Sequence, residues 1–133
     1  MKSLSFLIDT DWAIDHFNGV KHVSLRLKEL QPRGLGLSVV STAELWEGAY
    51  FPRDAKRSQE TPEGILSGVD VLGLDEEICK RFGQLRGSMR KRGQTIGDFD
   101  LLIAATALRH NLKLLTNNRK HFEGIAGLEI ESR

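Results

Sequence analysis

Four carboxylates stand where an α/β chain would bring them together. Asp9 closes the apolar run Leu4-Ser5-Phe6-Leu7-Ile8, Glu44 follows Ser41-Thr42-Ala43, and Asp98 and Asp100 open the apolar stretch Leu101–Leu108. In open α/β sheets, ligands bind beyond the carboxyl ends of the strands, beside the adjoining helix starts. Carboxylates gathered there repel one another and are costly to remove from water. A divalent cation relieves both, and Mg²⁺ takes a few carboxylates together with water and phosphate oxygens. The chemistry these residues point to is metal-assisted work on a phosphate.

The elements needed to position them can be followed along the chain. Leu4–Ile8 reads as a short buried strand, and Asp11 is placed to cap a helix through Phe17, stopped by Asn18-Gly19. Val23, Leu27 and Leu30 mark the stripe of a second helix ending before Pro32, and Leu35–Val40 resembles a second strand. Ser41-Thr42-Ala43-Glu44 has the spacing of a capping box, so a helix is expected to start there, with Leu45, Trp46, Ala49 and Tyr50 on its apolar stripe. Pro52 should kink or end it, and 53–64 is polar and ambiguous.

Val69–Leu74 alternates like a strand, and Asp75-Glu76-Glu77 loads the first turn of a helix whose face carries Ile78, Phe82, Leu85 and Met89. Arg92-Gly93 stops it, and a loop over Gln94–Gly97 leads to a central helix, Phe99–Arg109, ended by Asn111. Leu112–Leu115 is a strand, Asn117–Phe122 a turn or short helix, and Leu128–Ile130 a last strand. Strands alternating with helices predict an α/β domain with a mostly parallel sheet and helices on both faces, a three-layer α/β/α sandwich.

A chain of 133 residues is expected to form one domain, residues 1–133. The single cysteine, Cys79, excludes an internal disulfide. The apolar run Ser3–Ile8 is too short for a signal peptide, and no run approaches the ~20 residues of a membrane span. The expectation is a soluble, cytoplasmic protein with no membrane partner. Net charge is only +1, but its distribution is uneven. Residues 1–79 hold 8 basic and 13 acidic side chains (net −5), whereas residues 80–133 hold 11 and 5 (net +6). Lys80, Arg81, Arg86, Arg90, Lys91 and Arg92 fall in one run without an acid, which fits either a polyanion partner or a solvated helix face.

Each acid also has a purely structural explanation. Asp9 could be a turn former or a helix cap, but Asp11 offers itself as the cap, which leaves Asp9 less structurally explained. Glu44 could be the reciprocal acid of the capping box with Ser41. Asp98 and Asp100 are two apart, about 200° around a helix, so one should cap while the other reaches the cleft, with Asp100 the preferred ligand. Thr116-Asn117-Asn118 could be an Asx turn or the rim of the acidic site. His121 reads as a turn residue, because no orienting partner is visible in sequence. His16, His22 and His110 are scattered and, with one cysteine, make no zinc pattern.

With their flanks, these acids resemble the PIN-domain ribonucleases, specifically the toxin half of VapBC-type toxin–antitoxin pairs. The residues carrying the resemblance are Phe6-Leu7-Ile8-Asp9-Thr10-Asp11, Ser41-Thr42-Ala43-Glu44-Leu45, Ile96-Gly97-Asp98-Phe99-Asp100 with Leu101–Ala107, and Leu115-Thr116-Asn117-Asn118 with Phe122 and Gly127-Leu128. Four motifs in order over nearly the whole chain are specific where any one is weak.

The resemblance implies a PIN-like fold and a Mg²⁺-dependent endoribonuclease, with Mn²⁺ a possible substitute, acting on tRNA or another structured RNA. Asp9, Glu44 and Asp100 match the family's acids; Asp9 and Asp100, with Glu44 directly or through water, would hold the ion. Asn118, or its neighbour Asn117, stands where the fourth acid often is, and Asp98 could compensate. Thr10, Ser41 and Thr116 would orient carboxylates or waters, and Arg86, Arg90, Lys91 and Arg92 would hold the RNA backbone. An antitoxin is the implied inhibitor, docking in a groove lined by Trp46, Tyr50 and Phe51 unless Trp46 and Tyr50 are ordinary core. A homodimer or larger toxin–antitoxin assembly is also implied. Two alternatives are a non-catalytic PIN-fold module that binds RNA or protein, and a haloacid-dehalogenase-like phosphatase. The latter is suggested by Asp9-Thr10-Asp11, but Ala13 stands where its motif wants Thr or Val.

Overall fold

The computed structural model describes residues 3–51, 64 and 67–133. Strand β1 (Phe6–Ile8) leads into helices α1 (Thr10–Phe17) and α2 (Lys21–Leu30), and β2 (Leu35–Ser38) into α3 (Val39–Tyr50). Strand β3 (Asp70–Leu72) is followed by α4 (Glu76–Lys91) and α5 (Asp98–His110). Strand β4 (Lys113–Leu115) leads to a one-turn helix, α6 (Arg119–Phe122), before β5 (Ile130–Glu131). Among the described residues the five strands form one sheet in the order β3-β2-β1-β4-β5, every neighbouring pair parallel.

Parallel strands buried on both faces read as continuous apolar runs, which is why Phe6-Leu7-Ile8 shows no polar alternation. Successive side chains still point to opposite faces. Leu7 and Leu114 join Met89, Leu101, Ile103 and Phe122 from α4, α5 and α6. Phe6, Ile8, Leu35, Leu37 and Leu115 join Trp12, Val23, Leu27 and Leu30 from α1 and α2. Helix α3 serves both layers, giving Val40 to the first and Leu45 to the second. The result is the α/β/α sandwich expected from the sequence.

Strand β2 can lie against the start of the chain because residue 34 is glycine. Its φ of 90° suits a residue without a Cβ, and a Cβ there would strike the Ser3 carbonyl and Leu4 Cα. The Gly34 carbonyl accepts hydrogen bonds from Ser5 and Phe6 instead (3.0 and 3.2 Å).

Three helix starts differ from the sequence expectation. Asp9, not Asp11, is the N-cap of α1. Helix α3 begins at Val39 under a cap from Ser38, whose Oγ accepts from the Val40 N–H at 3.1 Å, so Ser41 opens no capping box. Strand pairing ends at Ile8 and Ser38, and the chain turns helical almost at once. Gly97 caps α5 without a side-chain bond, so Asp98 is not the cap. Pro52 and nearly all of 53–64 lie outside the described residues. No helix among the described residues is long and apolar enough to cross a membrane.

Candidate metal centre

The strand order reverses direction of travel at β1, with β2 on one side and β4 on the other. Ligands of open α/β sheets bind at such a switch point. The two chain ends that meet there are Asp9 after β1 and Thr116 after β4. Asp9 Oδ2 accepts from Thr116 Oγ1 at 2.7 Å, and Asp9 Oδ1 accepts from the Thr10 N–H at 2.9 Å. The Thr116 hydroxyl in turn accepts from the Asn118 N–H at 3.0 Å. Asp11, in the first turn of α1, accepts from the Trp12 and Asn117 N–H groups, both at 2.8 Å. Asn117 Oδ1 takes the indole N–H of Trp12 (3.1 Å) and the Arg133 N–H (2.8 Å). Asn117 is thus a strap between α1 and the β4 end, while the Asn118 side chain makes no hydrogen bond among the described residues.

The Ser41–Glu44 spacing has a different meaning from the one it suggested. Positions i and i+3 share a helix face, and both side chains converge on Thr10 in α1. Thr10 Oγ1 lies 2.9 Å from Ser41 Oγ and 2.7 Å from Glu44 Oε1. A hydroxyl has one proton, so Thr10 donates to the carboxylate and accepts from Ser41. Glu44 is thereby fixed beside α1 rather than folded back on its own helix.

The two acids of α5 part company. Asp100 faces the cleft, close enough for its charge to act on both Asp9 and Glu44, and it bonds His121 Nδ1 at 2.7 Å. Asp98 is solvent-exposed and ion-paired with Arg86, which also donates to the Ile96 carbonyl at 2.8 Å. No hydrogen bond joins Asp98 to Asp9, Glu44 or Asp100; its partner is Arg86.

Burial, followed by the charge of Asp11, pushes the Asp9 carboxyl up to about 7, against hydrogen bonds from Thr116 and Thr10 that favour ionisation. Burial also raises Asp11 and Glu44, and Asp100 adds to the rise at Glu44. Carboxyls raised in this way are ones whose charged form a bound cation would favour. Among the described residues, no three His, Cys, Asp or Glu side chains are gathered tightly enough to cage an ion by themselves. An all-oxygen, negatively charged, incomplete shell suits Mg²⁺ or Mn²⁺ better than zinc, because Mg²⁺ keeps waters and takes one or two carboxylates plus phosphate.

The PIN-domain family model matches residues 6–128. This chain belongs to the PIN-domain family. It is 33% identical over 129 residues to the tRNA(fMet)-specific endonuclease VapC of Shigella flexneri, covering 96% of this chain and 97% of that one. Its fold is similar to VapBC2 of Rickettsia felis, solved bound to a promoter DNA fragment, with a TM-score of 0.89 at 26% identity over 98% of this chain and 99% of that one. DNA-bound VapBC of Salmonella typhimurium gives a TM-score of 0.87 at 30% identity over 97% and 98%. Membership decides against the haloacid-dehalogenase alternative.

Within this PIN domain, the structure adds residues that the sequence did not single out. Asp11 is a fourth carboxylate of the cluster, and the Asp-x-Asp spacing could have flagged it. His121 has the partner it lacked in sequence, since α6 carries it across to α5. The basic run of α4 divides. Arg86 is spent on Ile96 and Asp98 and also stacks over Phe82, 5.5 Å to the ring centroid. At about 100° per residue, the remaining cations spread around the exposed arc rather than forming one stripe. Arg90, Lys91 and Arg92 are exposed at the end of α4 that runs on toward Asp98. Tyr50 and Phe51 are not core: they are 72% and 78% exposed, with Tyr50 stacked on Trp46 at 5.8 Å.

Proposed function

We propose that this PIN domain, one domain over residues 1–133, is a Mg²⁺-dependent endoribonuclease, the toxin of a toxin–antitoxin pair working in the cytoplasm. The observation that carries the reading is Asp9, a buried carboxyl raised to about 7 beside Asp11 and Asp100, at the switch point of the sheet. Such a group ionises by itself only near neutrality, and a bound cation would favour its charged form. Asp9 and Asp100 would hold Mg²⁺, with Mn²⁺ a possible substitute, and Glu44 directly or through water. When bound, the ion would lower the pKa of a water and neutralise charge on the scissile phosphate.

The chain's own residues do the rest. Thr116 and the Thr10 N–H fix the Asp9 carboxylate, and Thr10, itself bonded to Ser41, fixes Glu44. Asn118, neutral and free at the rim, leaves room for a phosphate oxygen where a further carboxylate would repel it. Arg90, Lys91 and Arg92 would hold the RNA backbone, which gives affinity without reading bases.

The name of the Shigella relative makes tRNA the first substrate to try, and the VapBC complexes make a small antitoxin and a homodimer or larger assembly the partners to seek. The test is cleavage of purified tRNA and other structured RNA under Mg²⁺ by the wild type, Asp9→Asn and Asp100→Asn. Either substitution should lower the rate by more than about a hundredfold, because it removes a charge that holds the ion. Cleavage that is unchanged in both variants would end the nuclease reading. RNA binding without cleavage by the wild type would favour the non-catalytic module, for which the neutral Asn118 speaks.

A further inference from the structure

We propose that His121 is a positioning residue of the metal centre, holding Asp100 in the orientation that binds the ion; this rests on the reading of Asp100 as a metal ligand. The acids of the cluster are unequally restrained. Asp9 is held by Thr10 and Thr116, and Asp11 by Trp12 and Asn117. Asp100 has one hydrogen-bond partner among the described residues, Nδ1 of His121 at 2.7 Å. A carboxylate oxygen only accepts, so Nδ1 carries the proton and the imidazole tautomer is set by this bond. The bond engages Oδ2 and leaves Oδ1 free for another partner.

His121 is itself carried by a rigid element. Phe122, the next residue, is fully buried in the core shared with α5. The His121 N–H donates to the Asn118 carbonyl at 3.0 Å, which closes the single turn of α6. The imidazole therefore reaches Asp100 from a fixed base. Outer groups that orient a ligating side chain in this way commonly set metal affinity by about 10–100-fold. Sequence spacing hides the role, because 21 positions separate the two residues.

Binding of Mn²⁺ alone to the full-length protein tests the inference, read from the electron paramagnetic resonance signal of free Mn²⁺. The variants are His121→Ala, His121→Asn and Asp100→Asn. The asparagine amide can put an N–H where Nδ1 stood. His121→Ala should weaken binding about tenfold or more, and His121→Asn should stay within about threefold of wild type. RNA cleavage by the alanine variant should recover as Mn²⁺ is raised to saturation, which a merely structural defect would not allow. Unchanged or tighter Mn²⁺ binding by His121→Ala, with binding lost in Asp100→Asn, overturns the positioning role. Equal losses in the alanine and asparagine variants overturn it as well, because the hydrogen bond would then not be what matters. Wild-type binding by Asp100→Asn is a separate failure, that of the ligand assignment itself.

Discussion

Two sets of carboxylates lie along the same side of this sheet, and they differ in who neutralises them. Glu131 at the end of β5 meets Arg26, whose Nε and Nη2 reach its two oxygens at 2.7 and 3.0 Å, and the bond holds Glu131 below the usual carboxylate range. Asp98 has Arg86. Asp9, Asp11 and Glu44 have hydroxyls and backbone N–H groups but no cationic side chain, and all three are raised. The first set is finished by the fold and needs nothing further. The second is well oriented but electrostatically incomplete, which a fold tolerates when a ligand completes it.

The largest effect expected from this difference is on metal affinity. Near neutrality Asp9 still holds a proton that an incoming cation must displace. The dissociation constant for Mn²⁺ should therefore rise about tenfold for each pH unit below about 7. Titration calorimetry across that range, in buffers of different ionisation enthalpy, would also count the proton released. An affinity that stays flat down to about pH 5.5 would mean that Asp9 is ionised without the metal, and the contrast between the two sets would disappear.

Next in size is the cost of the incomplete cluster to the metal-free protein. The folded-state pKa of Asp9 stands above its ordinary value of 3.8. Below about pH 4 both folded and unfolded chains keep the proton, between about 4 and 7 only the folded chain does, and above about 7 neither does. Stability is thus lost as pH rises through that window and stays low beyond it. Relative to Asp9→Asn, the wild type with chelator should lose on the order of 4 kcal/mol between the two limits, read by urea unfolding. Glu131 has the opposite sign: its contribution is present above its unfolded pKa and lost as pH falls, so Glu131→Gln should flatten the acid side instead. Parallel curves for wild type and Asp9→Asn would show that burial of Asp9 carries no net penalty.

The contrast was only half visible in the sequence. Strands, helical stripes and the alternation of elements were legible because each is a local pattern, and so were the places of Asp9 and Asp100 at element ends. The helix starts were not legible. Whether Asp9 or Asp11 caps α1, and whether Ser38 or Ser41 caps α3, depends on where the strands stop pairing. That is set by the registers Ile8 with Leu37 and Ile8 with Leu115, both long-range. The misread cap concealed Asp11 as a member of the cluster. Likewise Ser41 and Glu44 kept their three-residue spacing but used it to face Thr10. Partners such as His121 for Asp100 and Arg86 for Asp98 belong to different helices, so no spacing along one segment reveals them.

Asp98 gives the finest division between the two sets. It stands two residues from Asp100, in the same first turn, and composition and spacing treat the two alike. Only the partner differs: a guanidinium for one, an imidazole and the acidic cleft for the other. If neutralisation by the fold is what separates structural from functional acids, Asp98→Asn should leave RNA cleavage within about threefold of wild type, because exposed ion pairs contribute little. Asp100→Asn should abolish it under the same conditions. The loss of the Arg86 pair should appear instead as a slightly lower melting temperature, since Arg86 would keep its bond to the Ile96 carbonyl. A loss of cleavage in Asp98→Asn as deep as in Asp100→Asn would show that its charge reaches the metal centre despite Arg86. Pairing with a cation would then no longer tell the two kinds of carboxylate apart.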